Sequence, residues 1–501
     1  MARLIFYTDE ASMALVTGRK PVVILVGGDF GYANFGDVLQ LKSVVNFYRA
    51  QTDLNPVPVY SLEAIPDSGY VDRIKKLIGV DALLFLSAEA VDVARLGLIP
   101  VPSISCLSVV HLYGGGYLND RWGEYVLDVA ECFLDKSECI TYLISGQQVG
   151  EKVRARLLDH IDRFRPRLVG VRDFESLDRL ESWGVPARFS FDDAYEPLLD
   201  LANQVPKIRK NRVIGHINLS PYASDSVGEK AQMLVAAFRE IMVRYPEHEL
   251  VMVNAYNDRR SAVMDSLASI VELENEFPYK DYCVLDLVDG AYSGNISRPE
   301  LLSSEVAVSC SYHVTLFLHI AGVPCWLFAQ NAYYDQKAGA LNGMESYEEF
   351  LQKPVIPDYS ERIDLREAWL RELGNVIEVR GPEVDAIALS LDVDAIDSLS
   401  PFKFKPRGHE ALERQLAEQA EQLQELRNYC DDLRSSLQQS LAYQEELERS
   451  RRAQSGQIDE LRSYVDSLEA RSNALAVELD QAHRILGSRK ELIKFIVRSR
   501  R

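Results

Sequence analysis

The sequence has no apolar run near the roughly 18 residues that a membrane-spanning helix needs. Its seven cysteines include no Cys-x-x-Cys pair, which excludes a disulfide framework and a thiolate zinc site as organising features. Such cysteine usage predicts a reducing compartment. Basic residues are in deficit: 55 Lys and Arg stand against 75 Asp and Glu, a net charge of −20. Broad nucleic-acid binding wants a basic face, so that class is set aside. The opening Met1-Ala-Arg-Leu-Ile-Phe-Tyr-Thr-Asp-Glu10 lacks a leader's long apolar core and meets acids early. These absences predict a cytoplasmic protein, free or at the inner face of the cytoplasmic membrane. No residue grouping suggests a metal site.

What is present is an α/β pattern. At 501 residues the chain exceeds one compact domain. Short apolar runs recur with helical spacers, from Pro21–Val26 through Val57–Leu62, Ala82–Ser87, Val109–Tyr113, Ile140–Ser145 and Leu168–Arg172. Such alternation predicts a parallel sheet covered on both faces. A polar stretch, Pro206–Lys210, reads as a linker, and a second alternating series starts at Val213. The expected division is one Rossmann-like domain over residues 1–205, a second over 211–395, and a further linker over 396–408.

From residue 409 to 487 the pattern changes to one heptad frame, carried by Leu412, Leu416, Leu461, Leu468, Leu475 and Leu479 among others. A sustained 3.5-residue period predicts a coiled coil, on the order of 110 Å long, joining copies of the chain into a homo-oligomer. Gln444, Arg451 and Gln454 fall on its seam and should weaken its middle. The tail, 488–501, alternates basic and apolar residues, a composition suited to peripheral contact with an anionic membrane.

The second series contains one unit of particular interest. Val306–Val308 reads as a buried strand, Ser309–Tyr312 as a polar turn, and His313–Ala321 as a buried helix stopped by Gly322 and Pro324. Ser311 is a good N-cap, and the free N–H groups beyond it favour an anion. The positive end of the helix dipole disfavours the protonated form of His313 unless an anion lies beside it. His319, on the apolar body of the helix, reads as a core histidine.

Several short stretches together resemble one family. They are Gly31-Tyr-x-Asn34-x-Gly36-Asp37, Gly114-Gly115-Gly116, Gly146-Gln147, Arg172-Asp173, Ser311-Tyr312-His313 with Ala321-Gly322-Val323-Pro324, and Tyr334-Asp-Gln-Lys337. The resemblance is to the polysaccharide pyruvyl transferases, and it covers about residues 21–343. Ser311 stands where that family has an arginine, Gln148 where it has a glycine and Gln336 where it has a proline. The resemblance implies two Rossmann-like domains facing a cleft, in the GT-B-like manner. It implies phosphoenolpyruvate as co-substrate, no cofactor, and a pyruvate ketal on a saccharide acceptor, free or lipid-linked, of a cell-surface polysaccharide. His313 would be the general acid. Ser311, Tyr312, Lys337 and Arg172 would hold the donor. Gly31, Asn34, Gly36, Asp37, Gly114, Gly115, Gly116 and Gln147 would face the acceptor. An Arg172–Asp173 pair at a strand end is also expected. Two other readings stay open: a GT-B-like glycosyltransferase using a nucleotide sugar, and a non-catalytic scaffold of a polysaccharide assembly system.

Overall fold

The computed structural model describes residues 2–28, 34–62, 69–87, 93, 96–119, 123–135, 140–217, 227–258, 263–264, 282–329, 332–377, 387–388 and 391–393, together with 457–458, 460–484, 486–490, 492–494 and 496–498 near the C-terminus. Met1–Lys403 forms one compact unit and Phe404–Arg501 a second.

The first unit is built on two sheets. Strands β1 (Ala2–Asp9), β2 (Val22–Val26), β3 (Asn55–Ser61) and β4 (Leu84–Ser87) are followed by the short β5 (Leu98–Pro100) and β6 (Ser103–Ile104). Then come β7 (Leu107–Leu112), β8 (Thr141–Gln147), β9 (Leu168–Val171) and β10 (Arg188–Phe189). The second series is β11 (Arg212–His216), β12 (Glu249–Asn254), the small pair β13 (Asn257–Asp258) and β14 (Val263–Met264), β15 (Tyr282–Asp286), β16 (Val306–Ser309) and β17 (Cys325–Leu327). Two short strands, β18 (Ile387–Ala388) and β19 (Leu391–Val393), close the unit.

Across the first sheet the order is β10-β9-β8-β7-β2-β3-β4-β1-β19. Every pairing from β10 to β4 is parallel. Strands β1 and β19 add an antiparallel edge. The second sheet runs β15-β12-β11-β16-β17, parallel throughout. In each half the first parallel strand, β2 or β11, lies inside the sheet, the next two of its main strands extend to one side and the later ones to the other, which is the Rossmann order. Chain direction therefore switches between β2 and β7, and again between β11 and β16. Ligands of doubly wound sheets bind outside the carboxyl ends of strands at such points. Parallel strands covered on both faces need apolar residues at every position, and β2, Val-Val-Ile-Leu-Val, is buried throughout.

The halves are interlocked. Phe35 N donates to Ala255 O at 2.8 Å, and Asn34 bridges to Tyr256. Lys42 Nζ donates to the carbonyls of Ala291 and Tyr292, at 2.9 and 2.8 Å, in the last turn of the helix Leu287–Ser293. Phe35 and Phe317 meet edge to face, with ring centroids 5.8 Å apart. The helix Ser360–Val376, which follows the second sheet, returns to the first, where Trp369 packs beneath Gly170.

In the second unit, 460–484 is helical and every described side chain is exposed. Leu461, Val465, Leu468, Leu475 and Leu479, all on the heptad frame, stand uncovered. Residues 409–456 of the expected coil lie outside the described residues. Among the described residues no helix is long and apolar enough to cross a membrane.

Candidate active site between the two switch points

The central unit forms as its sequence dictates. Strand β16 ends at Ser309, whose Oγ accepts from Ser311 N at 2.9 Å. Ser311 then caps the helix Tyr312–Ile320, its Oγ accepting from Val314 N at 3.5 Å. His313 is thus the second residue of a helix that follows the switch-point strand of the second sheet. Its side chain is 12 % exposed and reaches across to the first sheet.

There it meets the helix Phe35–Gln51, which follows β2. This helix begins at Phe35 because Asn34 caps it: Asn34 Oδ1 accepts from Gly36 N at 2.9 Å. Gln40, four residues beyond Gly36 and three beyond Asp37, comes back to the side of the helix between them. Gly36 leaves the room that His313 fills. A Cβ at residue 36 would lie 1.8 Å from His313 Nδ1 and 2.2 Å from its Cγ, a distance no side chain can occupy. Gln40 Nε2 lies 3.1 Å from His313 Nε2 and donates to Asp192 Oδ1 at 3.0 Å. Asp37 Oδ1 accepts from Tyr117 O–H at 2.6 Å.

Asp192 is the anion beside His313, with Oδ2 3.4 Å from the ring Nε2. Burial by itself would push this carboxyl up. The charge and hydrogen bond of His313, the Arg172 guanidinium and the Ala194 N–H outweigh burial and hold it well below the usual carboxylate range. Arg172 Nη1 lies 3.3 Å from Asp192 Oδ2, and Nη2 donates to Gln148 Oε1. The guanidinium also stacks over the Tyr312 ring, 4.2 Å from its centroid. The expected Arg172–Asp173 pair is therefore replaced by Arg172–Asp192. Asp173 instead caps the helix Phe174–Ser182, accepting from Ser176 N at 2.8 Å and from Gln336 Nε2 at 3.0 Å. Adjacent residues at a strand end point to opposite sides, so the two charges diverge.

Lys337, on the helix Ala332–Leu341, completes the group. Burial pushes its ammonium well below the ordinary lysine value. Arg172 adds to that, while Asp37 and Asp192 oppose it. Its Nζ stands 4.8 Å from the Tyr334 ring centroid. Gln147 and Gln148 are both buried, and among the described residues Gln147 Oε1 and Gln148 Nε2 have no partner.

The floor of the site is a second polar chain. Asp193 Oδ2 accepts from Gly114 N at 2.9 Å and from Ser145 O–H at 2.5 Å, while Oδ1 takes Arg366 Nη1 at 2.8 Å. Because Ser145 gives its proton to Asp193, His111 Nε2 must donate to Ser145 Oγ, at 2.8 Å. His111 Nδ1 then accepts from Tyr48 O–H at 3.1 Å. Burial pushes this imidazole down to about 3, with Arg366 adding to the effect. The neighbours Asp192 and Asp193 thus divide their work: one faces His313, the other ties the triple-glycine turn to the returning helix. Gly146, at φ +64°, lets β8 pass under that turn, where a Cβ would lie 2.6 Å from Gly114 O.

Among the sequence-derived candidates, the structure gathers His313, Tyr312, Arg172, Lys337, Gly36, Asp37 and Gly115 into one cluster. A Cβ at Gly115 would meet Gln40 Nε2 at 2.7 Å and Arg172 Nη1 at 3.0 Å. Ser311 and Asn34 serve their helices as caps, Gly114 ties the floor, and Gly116 accepts from Asn119 Nδ2. Gly31 lies outside the described residues. Sequence reasoning missed Gln40, Asp192 as the partner of His313, Tyr117 and Gln148. Among the described residues no group of three or more His, Cys, Asp or Glu side chains is placed to hold a metal ion.

No protein-family model and no curated protein matches the sequence. Several solved structures are similar in part to this chain. UDP-GlcNAc 2-epimerase from Neisseria meningitidis, bound to UDP-GlcNAc, is 9% identical, with 72% of this chain and 95% of that one covered at a TM-score of 0.37. The Methanocaldococcus jannaschii UDP-GlcNAc 2-epimerase, in complex with UDP-GlcNAc and UDP, is 12% identical over 73% and 95% of the two chains, at 0.36. Sucrose-phosphate synthase from Thermosynechococcus elongatus is 13% identical over 81% and 99%, also at 0.36. Likeness at these scores fixes neither a family nor an activity for this chain.

Proposed function

We propose that the chain is a transferase acting on a saccharide, and that it moves a pyruvyl group from phosphoenolpyruvate to form a ketal. The observation that carries this reading is convergence. Stretches scattered from Gly36 to Lys337, each similar to a pyruvyl transferase motif, surround a single histidine between two switch points. His313 delivers a proton to the methylene carbon of the enol, and one sugar hydroxyl attacks the cation-like C2 with loss of its proton. The C2–O bond to phosphate breaks to release inorganic phosphate, and a second hydroxyl, losing its proton in turn, closes the ketal. Such acid catalysis is typically worth about 10²–10⁴-fold. The arginine that the family places two residues before the histidine is Ser311 here. Arg172, stacked on Tyr312 from the other sheet, supplies the guanidinium instead. Lys337 and the amide of Gln148 add donors for the phosphate and carboxylate, and the glycine turns face the acceptor.

A second reading, glycosyl transfer from a nucleotide sugar, is favoured by the paired Rossmann switch points, since nucleotides bind at such crevices. Labelled phosphoenolpyruvate and labelled nucleotide sugars, each offered with a lipid-linked saccharide, decide between them. Transfer of label from phosphoenolpyruvate supports the first reading. Transfer from a nucleotide sugar alone overturns it.

The uncovered heptad stripe supports a homo-oligomer formed through the C-terminal coil, with the basic tail as a peripheral membrane contact. Light scattering on the full chain and on a form ending at Pro406 should show lower stoichiometry for the latter. Sedimentation with anionic vesicles should fall when the chain ends at Leu486.

A further inference from the structure

We propose that Gln40 is a positioning residue that reads the proton on His313: its amide docks on the neutral ring and is displaced from the protonated one. Gln40 is fully buried in the second turn of the helix that carries Gly36. Its orientation is fixed by chemistry. The atom 3.0 Å from Asp192 Oδ1 must be the amide nitrogen, because an amide oxygen there would face a carboxylate oxygen. The other end, Oε1, faces the Tyr117 hydroxyl at 3.5 Å. One hydrogen of the NH₂ group therefore serves Asp192. The second points at His313 Nε2, 3.1 Å away. Against that N–H the neutral ring offers its lone pair at Nε2 and carries its proton on Nδ1, beside Gly36, whereas the charge and hydrogen bond that His313 gives Asp192 belong to the protonated ring.

Protonation of Nε2 reverses the signs of the two contacts. The Gln40 N–H and the new ring N–H then oppose each other at a distance suited to a hydrogen bond. Asp192 Oδ2, at 3.4 Å, becomes an attractive partner. The other charged groups around this point are Arg172 on Asp192, Asp37 on the same helix as Gln40, and Lys337 from the helix Ala332–Leu341. Asp192 and Asp37 favour a proton on Nε2, Arg172 and Lys337 oppose it, and Gln40 opposes it through a contact that a rotation of one amide relieves. Loading His313 as an acid thus requires Gln40 to release the ring, and an anionic donor offering acceptor oxygens to that amide would draw it away. This deepens the reading of His313 as the general acid and rests on it, but the primary test does not use turnover.

The experiment is ¹⁵N NMR of the ring nitrogens in the full-length protein labelled at histidine, with the His313 signals identified by their loss in His313→Gln. At neutral pH the wild-type ring should show a lone pair on Nε2 and a proton on Nδ1. In Gln40→Met, similar in length but without a donor, the ratio of Nε2-protonated to unprotonated His313 should rise about tenfold. The acid-dependent limb of any pH–rate profile should move alkaline to match. Wild-type His313 with its proton on Nε2 overturns the proposal. So does an unchanged ratio in a Gln40→Met protein that melts as the wild type does. The wild-type measurement decides the tautomer even if that variant does not fold. Absence of pyruvyl transfer, with the ring behaving as described, would sink the catalytic reading and leave the Gln40 contact standing.

Discussion

The helix Tyr312–Ile320 carries two histidines, one near each end, and their surroundings are opposites. His319 is 3 % exposed, and both its nitrogens are spoken for within the second half of the unit. Nε2 donates to Cys325 O at 2.9 Å and Nδ1 accepts from Tyr359 O–H at 2.7 Å. Burial pushes that imidazole down to about 4. His313 faces a carboxylate and an amide from the other sheet, over a glycine. One ring is fixed as neutral packing material. The other sits among groups that favour different proton states. The lesson is that a histidine's role here is set by which partners can accept its proton, more than by burial alone.

The largest effect should come from closing the space His313 uses. Gly36→Ala puts a methyl where the ring lies, and overpacking of this kind costs about 1–3 kcal/mol. Displacing a reacting group by about 1 Å costs roughly 10²-fold on top of any lost acid role. Transfer activity should fall below detection while circular dichroism stays native. Near-normal turnover in this variant would mean that the ring leaves Gly36 during reaction. Next in size is His313→Gln, which keeps bulk and polarity but delivers no proton at neutral pH. Turnover should drop at least about 10²-fold with much less change in donor affinity. Phosphate release and donor binding measured together check this. Full activity would make His313 a second structural histidine and erase the contrast between the helix ends.

How much of this contrast the sequence reveals depends on range. The strand, cap, helix and glycine exit around His313 are readable because each rests on neighbours within a few residues: Ser311 caps three positions on, and Gly322 ends the apolar run. His319 is readable as core from the apolar residues flanking it. The parallel sheets follow from alternation, though their strand order does not. What cannot be read is which side chain crosses the cleft. Asp192 lies 121 positions before His313, and Gln40 273 before it; only the packing of the two sheets makes them neighbours. Gln40 did carry a faint signal, sitting one turn beyond Gly36 on the face that also bears Asp37. The strand β1 was equally hidden, since Ala2–Asp9 reads in sequence only as too polar for a leader. Its partner β19 comes from the far end of the unit.

A pH titration of stability sharpens the comparison from the side of His319. Its folded value of about 4 lies below the ordinary 6.5, so between those limits the unfolded chain binds a proton that the folded one refuses. Stability from this group is complete above about pH 6.5 and is lost as pH falls toward 4. The total is on the order of 3 kcal/mol. His111 adds a loss of the same sign over a wider range, because burial holds it at about 3. Asp192, likewise held down, acts in the same sense, but its contribution is lost only below the ordinary carboxylate value, outside the window where His319 titrates.

The smallest effect, and the one that separates the helix ends most cleanly, belongs to His319→Leu. At pH 7 the change leaves the Tyr359 hydroxyl and the Cys325 carbonyl without their ring partners. Unsatisfied buried groups of this kind cost about 1–3 kcal/mol. Turnover should be unchanged, because no cleft residue touches His319. As pH falls from 6.5 toward 4 the wild type loses stability by excluding a proton from its ring, whereas leucine has none to exclude. The gap between the two proteins should therefore narrow and close near pH 5. Below that the variant should be the more stable of the two. Urea unfolding at pH 7, 5.5 and 4.5 measures it. A gap that stays constant over this range would show that His319 takes up its proton inside the folded core, with Tyr359 turning to accept it. The two ends of the helix would then differ in position and no longer in chemistry.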